Sequence, residues 1–250
     1  MLVIFPVVDR IKLLPYFFAY YTSIGASEFI CALYNGEANP LYSQILSFVS
    51  SYNLKILPSI CCDFREFRGA REVGVLNQIR EQYAVTSRWY CIADLDEFHF
   101  FRGRNLMTVA ENAERCGYEA VHGTFFDRIA IDGSFPDIEG KLDDKYPMAC
   151  DLSNSVGLSS GKITLAKSHV AITAGHHNAK AVTWFDQAEV HHFKWVKGVH
   201  KIVRDKYARY SAQGLPWAKA QLPRLLRSIE TRIDISDPRL KVRPAAKLGV

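Results

Sequence analysis

Trp89-Tyr-Cys-Ile-Ala-Asp-Leu-Asp-Glu-Phe98 passes from an uninterrupted apolar run straight into three carboxylates, Asp94, Asp96 and Glu97. A short apolar run bounded by charge reads as a strand buried on both faces. Upstream, Leu2–Val8 and Glu28–Tyr34 read the same way, the second closed by Asn35-Gly36, and Lys55–Ile60 is a third such strand. Between them lie helical patterns: Arg10–Ile24 stopped by Gly25, Pro40–Tyr52 with proline in its first turn, and Gly69–Val85 with Val73, Leu76 and Ile79 at helical spacing. Strands alternating with helices predict β-α-β units, hence an α/β fold with a mostly parallel sheet flanked by helices.

Downstream the pattern is less regular. Leu106–Cys116 reads as a helix and Glu119–Ile131 as a long strand. The Gly-, Pro- and Asp-rich stretch 132–154 reads as loop. Ile163–Thr173 and Val182–Phe193 are further strands, Val196–Ala212 is a helix, and a shorter helix is opened by Pro223. Ser236-Asp237-Pro238 then leads to a basic tail expected to be loosely held. This organisation predicts a catalytic domain over 1–200 and a basic helical extension and tail over 201–250.

The 250 residues make about one large domain, long enough to bury roughly 70–75% of the unfolded surface without a metal or disulfide. Hydrophobic residues at 48% and charged residues at 23% exclude a disordered or collagen-like chain. No apolar run approaches the roughly 20 residues of a membrane span. Met1–Val8 lacks a basic flank and a cleavage region, so it reads as a strand and the chain is expected to stay in the cytoplasm. The six cysteines, with Cys61 and Cys62 adjacent, have no zinc or disulfide spacing.

The net charge of +5 is uneven. Residues 201–250 carry 12 Lys and Arg against 4 Asp and Glu, whereas residues 1–200 carry 19 against 22. A basic last fifth suggests an anionic partner: a lipid surface, a nucleic acid or a phosphorylated substrate. From Pro223 onward, Leu225, Leu226, Ile229 and Ile233 fall at helical spacing. Such a helix can make a peripheral contact with an anionic membrane or pack its apolar stripe on the rest of the protein. Nucleic acid is disfavoured, because the acidic body lacks the broad basic face of such binders.

In open α/β sheets, ligands bind at the carboxyl ends of strands. Asp94 and Asp96 alternate along an extended backbone and so share a face. Two carboxylates on one face repel unless a cation lies between them, and hard oxygen ligands favour Mg²⁺ or Mn²⁺. The alternative is an acidic turn capping the next helix.

Asp94-Leu-Asp-Glu-Phe98 resembles the Asp-x-Asp-Glu-Phe signature of GT-A (Rossmann-like) glycosyltransferases of the family 2-like and family 92-like group. Asp9 to Gly25, with Leu14-Pro15-Tyr16 inside it, resembles the opening of that family. Asp127-Arg-Ile-Ala-Ile-Asp-Gly133 resembles a later stretch, and Gly175-His-His177 and His191-His-Phe-Lys-Trp195 resemble its late histidine motifs. The five segments follow the family's order over roughly residues 1–215. The departures are Asp9-Arg10, where the family usually has Asn-Glu, and Tyr34-Asn35-Gly36, where many members have an Asp followed by Ser.

The resemblance implies transfer of a sugar from a nucleotide-sugar donor, UDP- or GDP-linked, to a saccharide or lipid-linked saccharide acceptor. The setting it implies is surface polysaccharide or glycolipid assembly. Asp94 would contact the ribose or, through water, the metal, and Asp96 would bind Mn²⁺ or Mg²⁺ on the donor diphosphate. Asp9, Asn35, Arg71 and Asn77 would line the nucleotide site. His192 would complete the metal site with Lys194 beside it for the diphosphate; alternatively it is a half-exposed strand histidine. His176 and His177 would line the acceptor or donor site or be structural. Inversion at the anomeric carbon requires a carboxylate base. Asp127 ranks first, against an ion pair with Arg128, followed by Asp151, Asp186 and Glu189. Trp184, Trp195 and Phe135 are candidate sugar platforms or core. Competing readings are a sugar nucleotidyltransferase, which would more often carry a Gly-rich basic loop after the first strand, a loop that Phe5-Pro-Val-Val-Asp9 does not supply, and a non-catalytic carbohydrate- or nucleotide-binding module.

Overall fold

The computed structural model describes residues 1–7, 10–33, 41–51, 69–84, 88–158 and 160–250. Within these it describes the side chains other than those of Val7, Val49, Ser51, residues 69–72 and Asp186. In chain order its elements are β1 (Leu2–Val7), α1 (Leu14–Ser23), β2 (Glu28–Leu33), α2 (Tyr42–Ser51), α3 (Gly69–Tyr83), β3 (Trp89–Ile92), β4 (Glu97–Phe100) and α4 (Leu106–Arg115). Then follow β5 (Ala120–Ile129), α5 (Leu142–Lys145), β6 (Met148–Cys150), α6 (Leu152–Ser155), β7 (Gly161–Lys167), β8 (Thr183–His192), α7 (Val199–Ala212), α8 (Pro216–Ser228) and β9 (Arg243–Pro244). The expected strand Lys55–Ile60, the Asn35-Gly36 turn, Pro40 and the Cys61-Cys62 pair lie outside the described residues. The chain forms two compact units, Met1–Thr124 with Gly161–Val190 and Phe125–Ser160 with His191–Val250.

The first unit is an α/β layer structure of the Rossmann-like kind. Its strands are ordered β2-β1-β3-β7-β5, and β4 pairs with β8. β1 lies between two parallel partners, Leu2 opposite Glu28 on one side and opposite Tyr90 on the other. The side chains of β1 alternate between two buried faces, which is why its sequence is continuously apolar. Leu2 and Ile4 pack with Leu76 and Ile79 of α3 and with Ile30, Tyr90 and Ile92. Phe5 packs on the other face against Phe17 of α1 at 4.9 Å between ring centroids, and Phe18 of α1 lies 4.8 Å from Phe29. Pro15 in the first turn opens α1, and Gly25, at φ +101°, follows it where the chain turns into β2.

The sheet is mixed. β7 runs antiparallel to both β3 and β5, with a bulge in β5 between Val121 and His122. Apolar runs mark these strands as buried but carry no information on their direction. β4 has no counterpart in the sequence reading, because its residues continue the carboxylate motif.

In the second unit the end of β5 pairs antiparallel with β6, Asp127 opposite Cys150, and β6 pairs with β9, Met148 opposite Pro244. β6, α5 and α6 all lie in the stretch read as loop; each has four residues or fewer, too short to show a period. α7 and α8 bring Val199, Val203, Ala218, Leu222 and Leu225 together with Trp195, Ile229 and Ile233 in one core. The apolar stripe of the basic C-terminal helix is therefore spent inside this unit. That helix begins at Pro216, and Pro223 lies within it. Its first turn accepts a proline because the first-turn N–H groups have no intrahelical partner in any case.

The basic tail is held. Buried Arg128 donates to the carbonyls of Tyr146 (2.7 Å) and Ala246 (3.0 Å) and pairs with Asp143 at 3.0 Å. The other oxygen of Asp143 accepts the N–H groups of Leu248 (2.8 Å) and Gly249 (2.7 Å). No described helix is long and apolar enough to cross a membrane.

Candidate functional site

β3 ends at Ile92, and the chain turns at Asp94–Glu97, with the Glu97 N–H donating to the Asp94 carbonyl at 2.9 Å. Asp94-Leu95-Asp96 is thus a turn and not the extended segment expected, so the two aspartates are not aligned by strand alternation. Each takes its own cation. The Asp94 carboxylate accepts from Lys162 Nζ at 2.6 Å, and Asp96 pairs with Arg10. Lys162 Nζ is also 2.6 Å from Glu97 Oε1, and Glu97 Oε2 accepts the Asp94 N–H at 3.3 Å.

The fold places Lys162 there by register. Trp89 of β3 faces Lys167 of β7 and Cys91 faces Leu165, so three further residues bring Asp94 opposite Lys162. Glu97 and Lys162 are buried, with side chains 3% and 7% exposed, whereas that of Asp94 is 32% exposed. Burial opposes ionisation of Asp94, but Lys162 and His176 outweigh it and hold the carboxyl well below the usual range. Burial likewise opposes charge on Lys162, and Asp94 and Glu97 overcome it and raise its pKa.

A closed loop supplies His176. Ile172 bridges Ala179, and the Thr173 N–H donates to the Asn178 carbonyl at 2.9 Å. The Asn77 amide clamps this loop to α3, donating to the Ile172 carbonyl (3.0 Å) and accepting its N–H (3.1 Å). Gly175 and His176 both have left-handed backbones, φ +68° and +59°. A histidine in that region costs on the order of 1 kcal/mol, and such strain concentrates at functional sites. His176 Nδ1 is buried, lies 3.9 Å from Asp94 Oδ1, and has no hydrogen-bond partner among the described residues. Burial drops the His176 pKa to about 4. His177 Nδ1 lies 2.8 Å from the Gly161 carbonyl, which fixes the proton on that nitrogen. Gly161 has no room for a side chain: a Cβ there would collide with the His122 ring and sit 2.8 Å from the Gly123 carbonyl.

In the second unit Asp127 is buried with both oxygens engaged. Oδ2 accepts the Ser153 N–H at 2.6 Å; Oδ1 accepts the Ser153 hydroxyl at 3.0 Å and lies 3.0 Å from His192 Nδ1. Burial opposes its charge, but the bond from His192 and the bonds from Ser153 keep its pKa low. A carboxylate so engaged orients a histidine and caps the start of α6; it is a poor proton acceptor. That arrangement does not favour Asp127 as the base. Its expected neighbour Arg128 pairs with Asp143 instead.

His192 engages Asp127 through Nδ1 and stacks edgewise on Phe125 at 4.6 Å, within the second unit; Asp94 and Asp96 belong to the first. Lys194 lies beyond the end of β8, with its Nζ 5.0 Å from the Trp195 ring, so strand alternation does not align it with His192. Asn77 clamps Ile172 through both atoms of its amide. Glu189 is half-buried on β8. Asp9 and Asn35 lie outside the described residues, as do the side chains of Arg71 and Asp186. Trp195 is fully buried in the core, and Trp184 stacks on Tyr118 at 5.6 Å. Sequence reasoning missed Lys162 and Ser153. The signal for Lys162 was a lone lysine opening an apolar strand.

The donor set does not fit a divalent ion. Asp94 and Glu97 share an internal ammonium, Asp96 is paired with a guanidinium, and among the described residues no three His, Cys, Asp or Glu side chains converge as ligands. The Mn²⁺ or Mg²⁺ expected between Asp94 and Asp96, with His192 as third ligand, is not supported by this arrangement.

No family model matches the chain, and no curated protein matches it in sequence. Among solved structures it is similar to HddC from Yersinia pseudotuberculosis, with 10% identity over 82% of this chain and 99% of that one and a TM-score of 0.38. It is also similar to a protein described as a glucose-1-phosphate thymidylyltransferase from Bacillus anthracis, with 11% identity, 54% and 58% covered and a TM-score of 0.33. A third is the nucleoside-diphosphate-sugar pyrophosphorylase from Vibrio cholerae RC9, with 9% identity, 93% and 90% covered and a TM-score of 0.31. At these TM-scores the likeness is too loose to assign a fold family or an activity.

Proposed function

We propose that this chain is an enzyme that acts on a nucleotide sugar. In the finer reading it is a GT-A-like glycosyltransferase that moves the sugar to an acceptor hydroxyl and releases the nucleoside diphosphate. The observation that supports this is the Asp94–Glu97 turn at the carboxyl end of β3, next to a parallel partner, with a partly exposed Asp94 carboxylate fixed from behind by Lys162. A ligand hydroxyl, from ribose or sugar, is what an ionised and positioned carboxylate of this kind accepts a hydrogen bond from. Transfer to an acceptor also needs a group to take the acceptor's proton. With Asp127 engaged, Asp186 and Glu189 on β8 of the first unit are the carboxylates assigned to that role. A saccharide or lipid-linked saccharide acceptor follows from the motif resemblance.

A second reading is sugar nucleotidyl transfer, in which a nucleoside triphosphate and a sugar phosphate give the nucleotide sugar and diphosphate. The observation that favours it is Arg10, a cation close after β1, where a triphosphate would need one, although it pairs with Asp96.

A thermal-shift panel of UDP-, GDP-, CMP- and dTDP-linked sugars identifies the donor class. Product analysis then separates the readings. Release of nucleoside diphosphate or monophosphate with a new glycoside supports sugar transfer; release of diphosphate from a triphosphate and a sugar phosphate supports the second reading. Binding without turnover of either kind identifies a non-catalytic module, and no binding at all removes the proposal.

A further inference from the structure

We propose that the outward face of α8, with the neighbouring cations of α7, is a docking surface for an anionic lipid membrane. α7 and α8 together carry seven Lys and Arg against a single carboxylate, Asp205, which Lys201 already pairs at 2.6 Å. At 3.6 residues per turn, Pro216, Lys219, Ala220, Pro223, Arg224 and Arg227 fall within an arc of about 140°. All of them are exposed except the half-buried Pro223. Ala218, Leu222 and Leu225 take the opposite side of the helix and are buried. Lys219, Arg224 and Arg227 have no ion-pair, hydrogen-bond or ring partner for their side chains among the described residues. Arg224 and Arg227 are neighbours three residues apart and repel one another, a cost that an anionic surface removes. Aromatic rings favour lipid over nucleic acid as that surface. Tyr210 and Trp217, both half-buried, meet edge to face at 5.5 Å where α7 passes into α8. Lys206 Nζ and the Arg209 guanidinium lie 5.7 Å and 5.2 Å from the Tyr210 ring. Tyr and Trp beside cations suit the headgroup region, where one end of a ring is apolar and the other wet. A nucleic-acid binder needs a broad basic face, whereas residues 1–200 carry 19 Lys and Arg against 22 Asp and Glu. The apolar stripe of α8 is packed inside its own unit, so the contact is electrostatic and weakens with salt. It involves no nucleotide or sugar, so it stands whether or not the function proposed above does.

The test is co-sedimentation of the full chain with vesicles at about 100 mM salt. The wild type is expected to bind vesicles containing phosphatidylglycerol, to ignore vesicles of phosphatidylcholine alone, and to be released as salt rises. The triple variant Lys219→Gln, Arg224→Gln and Arg227→Gln is expected to lose roughly tenfold or more in partitioning, since each cation near such a surface contributes severalfold. A control variant removes three exposed cations of the first unit, through Arg102→Gln, Arg115→Gln and Lys180→Gln, and is expected to bind nearly as the wild type does. An equal loss in both variants assigns the binding to net charge and overturns the proposal. So does a wild type that stays in solution with the anionic vesicles, an outcome that needs no variant to fold. Tighter binding of a duplex oligonucleotide than of the vesicles, read by fluorescence anisotropy and lost in the first variant, assigns the face to nucleic acid and also overturns it.

Discussion

His192 Nδ1 stands 3.0 Å from Asp127 Oδ1, on a carboxylate that also takes the N–H and hydroxyl of Ser153. The pair is 65 residues apart in sequence and is brought together because the ends of β5 and β8 carry one partner each. Asp127→Asn keeps the size but replaces an ionised acceptor with an amide. It is expected to lower unfolding free energy by about 1–3 kcal/mol, with Ser153→Ala nearer the lower figure. Urea denaturation of the two variants and the wild type measures this, and an unchanged Asp127→Asn midpoint would contradict the geometry.

Lys162 and Glu97 are the most deeply buried ion pair of the turn. Lys162→Met removes this cation from a buried carboxylate and is expected to cost about 3–5 kcal/mol. Glu97→Gln in the same chain should recover part of that loss, because the buried charge is gone. A double-mutant cycle reads the coupling, and strictly additive losses would show that the pair does not interact.

Acid sensitivity follows from buried histidines. Burial pushes His99 down to about 3 and His176 down to about 4 from the usual 6.5. Between about pH 4 and 6.5 the unfolded chain therefore binds protons that the folded chain refuses, so stability falls as pH drops through that window. The loss at pH 5 relative to pH 7 is on the order of 2 kcal/mol for each histidine. The lowered carboxyls of Asp94 and Asp127 act in the same direction at still lower pH. Urea midpoints at pH 7 and pH 5 check this, and His99→Gln should flatten the difference.

Gly133 closes the Asp127–Gly133 motif with φ +73°, and its carbonyl accepts the Ile233 N–H at 2.8 Å. A Cβ there would collide with the Ile233 carbonyl, which is backbone and cannot swing away. Gly133→Ala is expected to destabilise by more than the roughly 1 kcal/mol of backbone strain alone. A melting temperature within a degree of the wild type would show that the two segments do not pass so closely.

The elements legible in the sequence are those with a period or a long apolar run. β1, β2 and α3 fall within two residues of their expected bounds, β3 occupies the apolar run before Asp94, and Gly25 follows the end of α1, which starts at Leu14 and not at the expected Arg10. What stayed hidden depends on contacts between distant segments. Nothing local shows that β7 runs antiparallel to β3, so nothing local shows that Lys162 faces Asp94. The Asp94–Asp96 segment looks like a continuing strand because turn and strand share the same residue types there. Asp127 was visible as a charged residue in a strand, but its partners Ser153 and His192 arrive on α6 and β8, and nothing local shows that both its oxygens are engaged. Pro223 suggested a helix start because prolines usually sit there, yet the helix had already begun at Pro216.

His176 carries a backbone that glycine would adopt at no cost and an imbalance follows from it. Replacement by Gly or Asn relieves the backbone and discards the imidazole beside Asp94, so heat tolerance and the site pull this position in opposite directions. A library selected only for survival at raised temperature should therefore drift away from histidine at 176, while one selected for turnover should retain it. The residue that survives each selection reports which demand the loop was shaped to meet.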